Sequence, residues 1–172
     1  MDKLLQSALI MCLVIACVPF AIGEVEKMNF GTDASWKVID FENQGWTSED
    51  YDDSWWEPAL VRGWSTGNLD GSIIWYPGKV TESTEYFRGT LEIQGADIIY
   101  GTLDAGVNDK GAIELYLNNN SIGTVKTDKS VPTRINITSY LKPGKNVIAA
   151  KVTVPSDSGW GWGLSGIVRY NR

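Results

Sequence analysis

Ala112-Ile113-Glu114-Leu115-Tyr116-Leu117-Asn118-Asn119-Asn120-Ser121-Ile122-Gly123-Thr124-Val125-Lys126 alternates apolar with polar side chains up to its asparagine triplet, and this alternation decides the fold. Successive side chains of a strand point to opposite faces, so Ile113, Leu115 and Leu117 share one face while Glu114 and Tyr116 share the other. Asparagine tolerates the left-handed conformation, which makes 118–120 the tip of a hairpin whose return strand runs over 121–126. A strand with one apolar and one polar face belongs to a sheet that covers a core on one side.

Outward from this hairpin the chain continues as short β-prone runs separated by turn residues. The candidate strands are 35–41, 72–76, 84–93, 97–103, 112–117, 121–126, 133–137, 146–154 and 163–170. Lys142-Pro143-Gly144-Lys145 reads as the turn before one of them. About nine strands without a long helix predict an all-β domain, an antiparallel two-sheet β-sandwich of the jelly-roll kind. A chain of 172 residues, rich in Gly (18) and Trp (8), fits one such domain, and no repeat, low-complexity tract or linker interrupts it.

The net charge of −6 comes from dispersed acidic residues, and no basic stripe could neutralise phosphates, so nucleic acid is not an expected partner. Histidine is absent, which removes Ser-His-Asp and Cys-His catalysis and imidazole metal ligation. Both cysteines, Cys12 and Cys17, lie in the first apolar stretch, leaving the rest of the chain without thiol chemistry.

That apolar stretch has the layout of a secretory signal. Lys3 precedes a run from Leu4 to Gly23 broken only by Gln6, Ser7 and Pro19, and Ala21-Ile22-Gly23 supplies small residues at its exit. Residues 1–23 are therefore expected to be a signal peptide and 24–172 the mature, secreted domain. Two other readings stay open: an uncleaved membrane anchor, since about 20 apolar residues span a bilayer, and lipidation of Cys17 in Val14-Ile15-Ala16-Cys17, which is similar to a lipobox.

Several short motifs occur in a telling order. Tyr51-Asp52-Asp53-Ser54-Trp55-Trp56-Glu57-Pro58-Ala59 is followed by Ile74-Trp75, by Glu85-Tyr86-Phe87-Arg88, by 109–118 and by Ile135-Asn136-Ile137-Thr138-Ser139-Tyr140-Leu141-Lys142-Pro143-Gly144-Lys145-Asn146-Val147-Ile148-Ala149. Together they resemble the galactose-binding-like jelly rolls, the sugar-binding accessory domains of glycoside hydrolases such as β-galactosidase-type enzymes. The resemblance spans about residues 36–168, with Trp56 at the motif tryptophan and Asn119 where the family's hairpin has glycine. It implies a sandwich whose 135–149 region runs strand, short helical turn, strand. It also implies an accessory domain and not the barrel that performs hydrolysis.

Two groups of side chains could carry chemistry. Asp52, Asp53 and Glu57 could contribute to a structural calcium site, because hard cations collect oxygen ligands; alternatively the two aspartates cap the local turn. The tryptophans are the other group, since indole rings stack on the apolar faces of sugars. Trp56, Trp75, Tyr86 and Phe87 sit in the matched motifs and are expected in the core. Trp46, Trp64, Trp160 and Trp162 lie beside glycine or polar residues and are expected to form an exposed ligand platform, with Gly159-Trp160-Gly161-Trp162-Gly163 as a flat clamp if extended.

The leading expectation is a non-catalytic carbohydrate-binding module whose partner is a glycan or glycosylated surface. The alternatives are a structural subunit of an envelope or filament, in which 24–33 pairs with a neighbouring protein or a second copy, and a glycoside hydrolase working through paired carboxylates. Asn119-Asn120-Ser121 and Asn136-Ile137-Thr138 are glycosylation sequons.

Overall fold

The computed structural model describes residues 23–62, 69–78, 83–107, 110–126, 130–155 and 161–172. Among them are twelve strands, more than the nine expected: β1 (Val25–Gly31), β2 (Lys37–Ile39), β3 (Glu57–Pro58), β4 (Leu60–Val61), β5 (Ile74–Trp75), β6 (Ser83–Ile93), β7 (Asp97–Val107), β8 (Ala112–Leu117), β9 (Asn120–Val125), β10 (Thr133–Asn136), β11 (Gly144–Val154) and β12 (Trp162–Asn171). The additions are β1, β3 and β4, none of which carries a run of β-branched residues. The short helical turn expected within 135–149 is a 3-10 turn, Thr138–Tyr140.

The strands form two antiparallel sheets, β10-β7-β12-β5-β4 with β1 on β12, and β3-β2-β6-β11-β8-β9. Between them lies the core. The alternation of β8 holds: Ile113, Leu115 and Leu117 are buried, and the hairpin closes through positive φ at Asn118 (50°) and Asn119 (68°). Asn119 therefore takes the conformation that the family's glycine would supply, at modest cost for an asparagine.

One expectation changes here. The 24–33 segment is already paired within the chain: β1 pairs with β12 along its length, from Val25 opposite Asn171 to Gly31 opposite Ser165, and among the described strands its other edge has no partner. Its Glu26 accepts a hydrogen bond from the Tyr170 hydroxyl (3.1 Å) and pairs with Arg172 (3.0 Å). The signal and lipidation readings fall on residues 1–23, of which 1–22 lie outside the described residues.

Phe87 of β6 points into the core against Trp75 and Trp162, so its neighbours Tyr86 and Arg88 must point outward. Outward here does not mean exposed. Residues 40–57, between β2 and β3, fold over this outer face and cover a second apolar cluster of Ile39, Trp46, Trp56, Tyr86 and Ala149, flanked by Tyr51 and Tyr116.

Candidate functional site

A loop of this length needs an anchor, because its backbone groups must find partners once buried. Arg88 supplies it. Its guanidinium donates to the Asp53 carboxylate (2.7 Å), to the carbonyls of Ser48 (3.0 Å) and Tyr51 (3.4 Å), and to the Trp46 carbonyl, and it lies over the Tyr51 ring. With Arg88 buried, several loop turns converge on one fixed cation. Trp46 and Tyr116 then pack edge to face at 5.5 Å, and Trp46 and Tyr86 at 5.1 Å.

Two surface features result. Phe41 and Trp55 are half exposed (50% and 54%), and their rings lie 6.0 Å apart with planes only 33° from parallel. Beneath them Trp55 meets the buried Trp56 edge to face at 6.3 Å. Beside Phe41, the chain from Glu42 to Thr47 forms one wall of a cavity of about 540 Å³, with Tyr116 and Asn119 opposite. Amide, hydroxyl and carboxylate groups therefore share the lining with Trp46 and Tyr116.

Four of the cavity's polar side chains, Glu42, Thr47, Tyr116 and Asn119, are held by hydrogen bonds. The Tyr86 hydroxyl donates to Glu42 (3.1 Å), the Tyr116 hydroxyl to Glu114 (3.1 Å), and the Thr47 hydroxyl to the Asn119 side-chain oxygen (2.5 Å). Burial, reinforced by Glu42, pushes the Tyr86 phenol up to about 12, and burial with Glu114 raises Tyr116, so both remain hydrogen-bond donors at neutral pH. Lys151 approaches Glu42 at 3.8 Å and lies near the Tyr86 ring.

Of the four tryptophans expected to form a platform, Trp46 and Trp162 are buried, and Trp64 and Trp160 lie outside the described residues. Trp46 contributes a wall to the cavity, but its ring is largely covered. Trp162 is wholly internal, packed edge to face on Trp36 (5.4 Å) and Phe87 (5.3 Å), so the clamp reading fails for it. Its flanking glycines serve packing: a Cβ on Gly161 would come within 2.5 Å of Ile73, and one on Gly163 within 2.9 Å. Among the described tryptophans the exposed one is Trp55. In a turn next to a core tryptophan its side chain has to leave the core, and that adjacency was the available signal.

The three carboxylates named for a calcium site are each placed separately. Asp52 accepts from the Ser54 backbone N–H (3.0 Å), which holds its carboxyl below the usual value, Asp53 is bound to Arg88, and Glu57 is exposed on β3. Among the described residues no group of three acidic, cysteine or histidine side chains is placed to hold a metal ion. The bond from Ser54 to Asp52 is the turn contact of the alternative reading, whereas the Asp53 carboxylate anchors Arg88.

The acidic residues are also less dispersed than expected. Seven of the 21 fall within residues 40–57, which contain no lysine or arginine. Three have cations from elsewhere: Asp53 with Arg88, Glu49 with Lys142 and Glu42 with Lys151. Asp40, Asp50, Asp52 and Glu57 show no ion pair among the described residues. A second cavity, of about 470 Å³, lies by Val131 and Pro132, where Arg134 and Asp104 bind each other through two contacts of 2.8 and 2.7 Å.

One carboxyl faces the opposite way. Glu85 shares the inner face with Phe87, is buried, and leaves Oε2 without a hydrogen-bond partner among the described residues. Burial pushes it up from 4.5 to about 7; Asp40 adds to this and Ser83 opposes it. Because the folded-state value lies above the unfolded one, protonation favours the fold. The benefit is complete below about pH 4.5, is lost as pH rises through about 7, and leaves the alkaline protein about 3 kcal/mol weaker than it would be with a neutral group there. Urea unfolding of Glu85→Gln is expected to show a smaller loss between about pH 5 and pH 8.5 than the parent protein, by about 2–3 kcal/mol. Parallel pH profiles would refute the assignment.

No protein-family model and no curated protein matches the chain. Solved structures do resemble its fold. They include a glycosyl hydrolase family 2 member from Bacteroides cellulosilyticus (TM-score 0.59, 18% identity, 81% of this chain and 20% of that one) and the Bacteroides uniformis β-glucuronidase (TM-score 0.55, 18% identity, 82% and 18%). A β-glycosidase from Bacteroides vulgatus is similar as well (TM-score 0.52, 22% identity, 81% and 20%). The chain spans about a fifth of the length of these enzymes, so the likeness is to one domain of each.

Proposed function

We propose that this protein is a secreted, non-catalytic glycan-recognition domain that binds saccharides across the Phe41–Trp55 pair and the adjoining cavity. The observation that carries the reading is that exposed pair, Phe41 of which directly precedes the lining of a cavity that carries hydroxyl, amide and carboxylate groups beside Trp46 and Tyr116. Pyranose rings present apolar C–H faces and a rim of hydroxyls, and this surface offers a counterpart to each. The likeness to single domains of glycoside hydrolases supports a carbohydrate-associated role. The apolar run in residues 4–23 supports export, with residues 1–23 as the signal peptide.

A glycan array followed by titration calorimetry tests the proposal. Phe41→Ala/Trp55→Ala is expected to weaken binding at least about tenfold while changing stability by less than about 1 kcal/mol, because both rings are half exposed. Retained affinity in the folded double variant would remove this surface from the reading. A parent protein that binds no glycan would remove the function.

A further inference from the structure

The charge of this surface bears on which glycans it admits. Residues 40–57 carry seven acidic and no basic side chains, a formal −7 against −6 for the whole chain, so the remainder of the protein is close to neutral. Asp40 and Glu42 flank Phe41 in sequence, and Glu57 follows Trp55 by two residues. Asp40 also lies at the Tyr76 hydroxyl (3.5 Å), and its charge and that of Glu57 both raise that phenol, after burial, so these two carboxylates gather around Tyr76. An anion arriving at the aromatic pair meets the carboxylates that adjoin it in the chain, whereas a cation meets them together with the faces of two aromatic rings.

Resting on the glycan-binding reading, we infer that the Phe41–Trp55 surface selects saccharides bearing protonated amino groups, admits neutral ones more weakly and rejects uronate-bearing ones, with Asp40, Glu42 and Glu57 as the specificity-determining residues. Each exposed carboxylate acts modestly through solvent, so three acting on one ligand amount to about a tenfold preference that salt weakens.

The test compares glucosamine oligomers at about pH 5.5, where their amines are protonated, with N-acetylglucosamine oligomers of the same length and with oligogalacturonate. The expected result is about tenfold tighter binding of the amine form than of the acetylated form, no detectable binding of the uronate, and loss of the preference both in added salt and in Asp40→Asn/Glu42→Gln/Glu57→Gln. The salt arm needs no variant, so a misfolded triple variant would not obscure the answer. Equal binding of all three oligomers through Trp55 would overturn the selectivity and leave glycan recognition standing. Absence of any Trp55-dependent glycan binding would overturn both. Trp55-dependent capture of oligolysine without any glycan would overturn both in favour of a basic protein partner.

Discussion

Arg88→Met is expected to destabilise the domain by about 3–5 kcal/mol, the range for removing one partner of a buried, hydrogen-bonded ion pair. Methionine occupies similar volume but donates nothing. Asp53 loses its cation, and the carbonyls of Trp46, Ser48 and Tyr51 lose a shared donor in a place water reaches poorly. Urea unfolding followed by tryptophan fluorescence reads the change, and a cycle with Asp53→Asn separates the ion pair from the carbonyl bonds. If the carbonyls matter as argued, the double variant stays far below Asp53→Asn in stability. A loss under about 1 kcal/mol for Arg88→Met would mean that the aromatic packing holds residues 40–57 without it.

The importance of Arg88 illustrates what could be read in advance. Glu85-Tyr86-Phe87-Arg88 was legible as a strand, and its alternation puts Phe87 in the core and Arg88 on the other face. Nothing local tells that the other face is covered. That depends on residues 40–57 crossing it, a contact between positions about forty apart in the chain. For the same reason β3 and β4 escaped notice. Each is two residues long and exists because a partner lies alongside, β2 in one case and β5 in the other.

The hairpin at 118–119 was legible because it depends on local chemistry, namely alternation in the strand that leads into it and a residue type that accepts positive φ. The site depends on which ring of an adjacent pair faces in. Trp56 was correctly expected to be internal, yet the exposed partner at Trp55 was not drawn from it. Flanking glycines misled in the opposite direction. Gly161, just before β12 and at φ 135°, and Gly163 within it both mark close approach to Ile73, and they flank a core residue.

That distinction makes Trp162→Ala the sharpest test of the core, expected to cost about 3–5 kcal/mol through lost apolar contact and the cavity left between Trp36 and Phe87. The indole sits at the start of β12, where it is paired with Ile74 of β5 and Val107 of β7, so neighbouring strands would have to shift together to fill the space. Trp162→Phe separates packing from polarity. Nε1 of Trp162 is buried without an acceptor, so phenylalanine keeps an aromatic edge toward both neighbours and removes an unsatisfied donor. Thermal and urea unfolding should therefore place Phe much closer to the parent protein than Ala, within about 2 kcal/mol of it. If Trp162→Ala instead unfolds like the parent and loses ligand binding alone, the ring is a contact residue and the core assignment is wrong.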